Sequence, residues 1–422
     1  MQKTPYSHQK EARQQNTSLL LRDLWRHAPL SKAMLAQRNG LTKGTVSSIC
    51  RDMAAQGLIS IIGQDHTGLG RPGDLIELNP ASRCSIGVEL STNYIAAILT
   101  DLCGRPLWQR SNPAEIGSPQ EVYLTQTKNL ITEAIIQAQT LAIPLLGIGV
   151  GVPGLVNQTV NSPALAWKDV PLKQIFEGWF SIPVIVENKA RAAAVAEAIY
   201  GTARDAARLI YVSIGTDVHS SVEAAVMTDG SLFRGARGKA VDAGHMVLDP
   251  HGPLCVCGRR GCWQAMVDVD REVEMVRQRL EAGEGSILQA YAPNGYARLD
   301  HRAIHQAAVE RDRLGLDVAS QVIMNHAQGI TNLVLLFDPE LVVIGWETLV
   351  LPSAYTTRMY QMDDMPEFNV ADSVRAQLSQ RGVTPPRIVH AALDPATVML
   401  GAAALLVDEF LRVPPAMESS TH

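Results

Sequence analysis

The stretch Cys-Val-Cys-Gly-Arg-Arg-Gly-Cys, residues 255–262, constrains this chain more than any other. Three thiols fall within eight positions, two of them flanking Val256 and the third behind a Gly-Arg-Arg-Gly turn. A disulfide would leave one thiol over, and a tetrahedral metal site would lack one ligand. In either case a further partner has to come from elsewhere in the chain.

Size does not demand such a staple. At 422 residues the chain predicts two or three domains, each large enough to bury a core without cross-links. It is 46% hydrophobic and 19% charged, with no run of about 18 apolar residues, so no membrane span is expected. The amino terminus, MQKTPYSHQKEARQQN, lacks the apolar segment of a secretory signal, which predicts a protein of the reducing cytoplasm. The six cysteines there read as thiols or metal ligands, with Cys50, Cys84 and Cys103 as singly buried structural thiols.

The net charge of −5 conceals an asymmetry. Residues 1–80 carry ten Lys/Arg against six Asp/Glu, a balance of +4, which leaves the remainder at −9. A basic head on an acidic body suits a DNA-binding module fused to something that avoids DNA. Within the head, Leu19, Leu20, Leu24 and Trp25 recur at helical spacing between Asn16 and His27. Ser31 caps a second helix that Gly40 closes, and Thr42 caps a third that Gly57 ends. Val46, Ile49 and Met53 form its inward stripe, leaving Thr42, Lys43, Thr45, Ser47, Ser48 and Arg51 to meet phosphates and base edges. Two strands, LISII and DLIELN, follow as a hairpin wing whose tip places Arg71 for a minor groove or flanking phosphate. The alternative is a helical hairpin packed on the next domain with an incidental loop.

From residue 81 onward strands alternate with helices, an α/β body split into two lobes and ending in a helix near 396–412. The blocks IGVGVPGLV, PVIVENKARAAAVAEAIYG, YVSIGT, DAGHMVLDPHGPLCVCGRRGCWQA and DPELVVIG resemble, in order and spacing, those of the ROK family of sugar kinases and transcriptional repressors. With the basic head attached, the chain is similar to the repressor branch, which includes the xylose repressors. The resemblance implies an α/β fold in which a winged helix-turn-helix of residues 1–80 precedes two actin-like, ribonuclease-H-like lobes in residues 81–422, closing over a sugar. It also implies the missing ligand: family members bind zinc through a histidine matching His245 and three cysteines matching Cys255, Cys257 and Cys262. Such a Cys3His set is closed and structural. Three free thiols in a loop would be the other reading.

Departures from the family pattern carry as much weight. Kinases of the family use two glycine-rich turns against ATP phosphates; here they read ELSTN (89–93) and GTDVHSSVE (215–223), with Asp217, Val218, His219 and Ser220 in nearly bare ground. The aspartate that serves the kinases as base is replaced by Lys189, an ammonium with no acceptor. No kinase activity is therefore expected. The family's sugar contacts map onto Gly154, Asn188, Lys189, Asp242, His245 and Gln264, the changes adding positive charge at Lys189 and Gln264. Lys189 then either pairs internally with Asp242 or Glu187 or meets the anion of a sugar acid or sugar phosphate. The function implied is a repressor of carbohydrate-related genes, a homodimer or homotetramer on palindromic double-stranded operator DNA, modulated by a sugar or anionic sugar derivative. A ligand-independent DNA-binding regulator or scaffold is the alternative, and an active carbohydrate kinase a remoter one.

Overall fold

The computed structural model describes residues 5–65, 73–114, 117–215, 222–296, 299–347, 369–393 and 395–412. The chain opens with α1 (Pro5–His27), β1 (Leu30–Ser31), α2 (Lys32–Asn39), α3 (Lys43–Ala55), β2 (Ile59–Asp65) and β3 (Gly73–Leu78). The caps act where the sequence places them. Ser31 accepts from the Met34 amide, Thr42 from the Thr45 amide, and Gly40 ends α2 at φ +64°, each side-chain cap contributing about 1 kcal/mol. Leu20, Leu21, Leu24, Val46, Ile49 and Met53 are fully buried, whereas Leu19, expected in the stripe, is 46% exposed. Helix α1 also starts eleven residues before the expected Asn16. Its polar first half is tied down by Arg13, which donates to Ser48 Oγ at 3.1 Å and pairs with Asp52 on α3. Asp23 of α1 likewise receives Arg38 and Asn39 at the end of α2.

Next come β4 (Cys84–Leu90), β5 (Tyr94–Asp101), β6 (Pro106–Pro113), α4 (Gln120–Thr140) and β7 (Leu145–Val152). Three short strands, β8 (Leu155–Val156), β9 (Val160–Ser162) and β10 (Trp167–Val170), precede α5 (Leu172–Phe180) and β11 (Val184–Asn188). The chain continues through α6 (Lys189–Ile199), β12 (Arg208–Gly215), β13 (Val222–Thr228), β14 (Ser231–Leu232), α7 (Trp263–Met266), α8 (Val269–Glu281), α9 (His301–Val309) and α10 (Arg313–Phe337). It closes with β15 (Leu341–Glu347), α11 (Val370–Gln380), β16 (Arg387–His390) and α12 (Thr397–Arg412).

Two compact units result, with boundaries at residues 152/153, 170/171, 187/188 and 397/398. Each is built on a five-stranded sheet, ordered β11-β7-β4-β5-β6 in the first and β14-β13-β12-β15-β16 in the second. In both, an antiparallel meander is extended by parallel pairing, β4 with β7 and β12 with β15. This duplicated order is the one that two ribonuclease-H-like lobes require. The head, expected as a domain of its own, groups with the first unit, where Arg22 of α1 pairs with Asp408 of α12 at 3.4 Å. Helix α12 presses its backbone onto the first sheet: a β-carbon at Gly87 or Gly149 would lie 1.9 Å from the Met399 or Ala402 carbonyl oxygen. Glycine is therefore obligatory at both positions. In the second unit α10 covers the sheet, with Ile323, Ala327, Ile330 and Val334 packed on Ile210, Val212, Val342 and Ile344.

Candidate effector cavity and metal centre

A cavity in the second unit is lined by Gly154, Leu155, Val156, Asn188, Arg191, Glu223, Ala224 and residues 240–243. Its polar floor is a small lattice. Gly154 donates its amide to Glu223 Oε1 at 2.9 Å, and Asn188 Nδ2 donates to Glu223 Oε2 at 3.1 Å and to the Gly154 carbonyl at 3.0 Å. Gly154 is at φ +95°, and a β-carbon there would meet the Asn161 carbonyl at 2.4 Å, so both its backbone angle and its packing exclude a side chain. Asn188 also caps α6, its Oδ1 accepting from the Arg191 amide at 3.2 Å. One side chain thus fixes the start of α6 and the orientation of the Glu223 carboxylate.

Of the expected sugar contacts, Gly154, Asn188 and Asp242 line this cavity, while Lys189, His245 and Gln264 do not. Lys189 is the first residue of α6, 1% exposed and engaged within the fold. Lys189 is thus held inside the fold, in keeping with the internal pairing that was one of its two expected roles. A cation that does line the cavity is Arg191, two residues further along the helix, whose Nη2 donates to the Ala240 carbonyl at 2.9 Å. Glu223 and Arg191 are the residues that sequence reasoning missed. The local traces are slight: Arg191 closes the ENKAR block, and Glu223 is the second residue of β13, a strand otherwise apolar up to Met227.

His245 turns instead to the cysteines. Its Nδ1 lies 3.5 Å from Cys255 Sγ, Cys257 Sγ lies 3.5 Å from Cys262 Sγ, and all four donor atoms fall within 4.8 Å of one another. Donors around a tetrahedral zinc, at about 2.0–2.3 Å from the ion, are roughly 3.5 Å apart, so the set fits such an ion without rearrangement. The loop folds around it through turns, with Gly258 at φ +82° and Gly261 at φ +66°, the Cys255 amide donating to Arg259 O and the Gly261 amide to Pro253 O. Sulfur crowding splits the thiols. Burial pushes Cys262 up to about 12, helped by its sulfur neighbours; for Cys257 burial is outweighed by hydrogen bonds from Arg259 and the other two cysteines, which draw it down to about 6. A dication would resolve that conflict by stabilising every thiolate. The remaining cysteines are apart from this cluster: Cys50 and Cys84 are buried and raised to about 11 by desolvation, while Cys103 is only half-buried.

In the head, Thr42, Lys43 and Arg51 are exposed and Thr45 and Ser47 half-buried. Ser48 is also half-buried, and its hydroxyl accepts from Arg13. Thr42 is partly committed, capping α3 and sharing a 2.9 Å contact with the Thr45 hydroxyl. Arg71 lies outside the described residues. At the first glycine-poor turn, Glu89 accepts the Tyr94 hydroxyl at 2.6 Å and the Tyr123 hydroxyl donates to the Ser91 carbonyl at 2.6 Å, so phenols occupy the polar groups there. Asp217, Val218, His219 and Ser220 lie outside the described residues. No helix among the described residues is long and apolar enough to cross a membrane.

The ROK family profile matches residues 85–409. The chain belongs to the ROK family. Among its relatives, this ROK chain is 32% identical over 338 residues to a putative xylose repressor from Caldicellulosiruptor sp. strain Rt8B.4, covering 79% of this chain and 83% of that one. It is 28% identical over 403 residues to the xylose repressor of Bacillus subtilis strain 168, covering 94% and 96%. A solved ROK family transcriptional regulator, described as a homologue of the Escherichia coli MLC protein, superposes with a TM-score of 0.74 at 23% identity over 95% of this chain and 97% of that one. That likeness extends the shared fold through the head as well as the ROK body.

The Asn188 lattice makes a testable demand. Replacing Asn188 by Ala removes a helix cap and a charge-assisted hydrogen bond, and urea unfolding should show a loss of about 1–3 kcal/mol. A variant within about 0.3 kcal/mol of the wild type would show that the lattice carries no stability, since neutral surface changes stay within about 0.5 kcal/mol.

Proposed function

We propose that this chain is a transcriptional repressor of carbohydrate-related genes whose affinity for operator DNA is set by a small sugar held in the second unit. The observation that carries the reading is the pairing of a basic head that exposes Lys43 and Arg51 on one capped helix with a separate polar cavity built on Asn188, Glu223 and Asp242. Helix α3 would enter the major groove at its capped end, with Thr42, Lys43, Thr45, Ser47 and Arg51 towards DNA and Arg71 reaching from the wing. Relatives named as xylose repressors over most of this chain support the assignment. A dimer or tetramer on a palindrome is the natural arrangement for such a head, because two-fold symmetric proteins read two-fold symmetric sites.

Phosphoryl transfer is not part of the proposal. The position of the family's base is held by a buried lysine, and Tyr94 and Tyr123 fill the first phosphate turn. Zinc, in this reading, is held by His245, Cys255, Cys257 and Cys262; with no ligand position left for water, its chemistry is that of a cross-link.

The cavity favours an uncharged sugar. Glu223 and Asp242 offer carboxylate oxygens to hydroxyl donors, and Arg191, the one cation among the described lining residues, already donates to Ala240 O.

DNA binding should follow counterion release. Lys43→Ala and Arg51→Ala are each expected to weaken operator binding and to flatten the log–log salt slope by about 0.9 per lost phosphate contact. Gel-shift or fluorescence titrations across a salt series measure this, and unchanged affinity and slope in both variants would remove α3 from the interface. For the effector, calorimetry of the full chain should rank a neutral pentose or hexose above its uronate and its phosphate. Glu223→Gln should weaken the preferred sugar about tenfold or more, the cost of losing a charged hydrogen-bond acceptor. Tighter binding of the anionic member, or an affinity indifferent to Glu223, would overturn the cavity assignment.

A further inference from the structure

A second cluster of ligating side chains lies in the helical part of the second unit, away from the cysteines. Glu272 of α8 is 2% exposed, and His301 and His305 of α9 are 6% and 4% exposed. His301 Nδ1 pairs with Glu272 Oε2, and His305 Nε2 lies 3.0 Å from Glu272 Oε1. One ligating atom from each of the three residues falls within 4.8 Å of the others. The two imidazoles are i and i+4 on one helix, the spacing that puts both on the same face, and their ring centroids are 4.1 Å apart.

A third histidine stands behind them. His326 of α10 is 2% exposed, its Nδ1 has no hydrogen-bond partner, and it senses the charges of His301, Glu272 and His305. Its ring packs edge-on to Trp263, the residue after Cys262, at 6.1 Å between centroids. The surroundings are apolar, formed by Val276, Leu280, Ile304, Leu314 and Val318. A carboxylate buried there against imidazoles is a costly arrangement unless a cation compensates it. A groove lined by Met266, Asp268, Arg271, Met275, Gln321 and Val322 also touches Glu272.

We propose that Glu272, His301 and His305 form a second metal site, taking a divalent transition ion of the zinc class. Nitrogen and oxygen donors of this kind suit zinc, iron, nickel or copper and discriminate against calcium and magnesium, which take oxygen alone. The ion would replace the Glu272–imidazole contacts and cross-link α8 and α9. The site is independent of the DNA-binding reading, and no member of it belongs to the Cys3His cluster.

Metal stoichiometry tests it directly. The full-length chain, stripped with a chelator and titrated with Co2+ alone, should take up two equivalents. One should show sulfur-to-cobalt charge transfer; the other should show only the weaker ligand-field bands of nitrogen and oxygen ligation. Glu272→Gln should keep the sulfur-ligated ion and lose the other, and Cys257→Ser should do the reverse. One equivalent in the wild type, or two retained by Glu272→Gln, overturns the proposal. Should Glu272→Gln fail to fold, Cys257→Ser decides: a single sulfur-free equivalent supports the site and none refutes it.

Discussion

The approach of four donor atoms to within 4.8 Å, from His245 on one side of a loop and three cysteines on the other, is the constraint on which the functional half of the second unit depends. The loop has almost no core of its own. Leu254 is 66% and Val256 78% exposed, and apart from Cys255 the residues from 254 to 260 are all exposed. Apolar burial at roughly 25 cal/mol per Å2 therefore has little to act on there. What orders the segment is turn hydrogen bonding and the donor set, and a structural zinc supplies about 10–16 kcal/mol in small peptides that lack a core for the same reason. Both ends of the stapled loop lead somewhere. Asp242 and Ala243, just before His245, form a wall of the candidate effector cavity, and Trp263, just after Cys262, is fully buried against Gly329 of α10.

Elements whose signal is local were legible in the sequence. The caps Ser31 and Thr42, the closing Gly40 and the buried stripe Val46, Ile49 and Met53 are each specified within a few residues. Elements whose reason lies elsewhere in the chain were not. The first half of α1 has no apolar period, and it is helical in company with α3 through Arg13. Strand β6 is exposed and carries a proline at each end, which reads as loop until β5 supplies its partner. The grouping of the head with α12 includes an ion pair spanning most of the chain, between Arg22 and Asp408, which no local pattern announces.

The cavity shows the same division at the level of single residues. Matching ENKAR to the family block drew attention to Lys189, the position of the lost base. Asn188 caps the helix that starts there, and on a helix each residue turns about 100°, so residues two apart point about 200° from each other. Lys189 and Arg191 thus serve opposite sides of α6, and only the folded helix tells which one meets the cavity. Glu223 was hidden for another reason. Its partners, Gly154 and Asn188, lie 69 and 35 residues away, beyond any local pattern.

Backbone hydrogen exchange of the full chain, zinc-loaded and after treatment with a chelator, tests the proposed staple most directly. On chelation, the amides of Met246, Leu248, Cys255, Gly261 and Trp263, which close the loop at 2.8–2.9 Å, should lose their protection together, while those of β12 and β15 keep theirs. Protection of the loop amides unchanged after complete metal removal would contradict the account, because the loop would then be ordered without its cross-link.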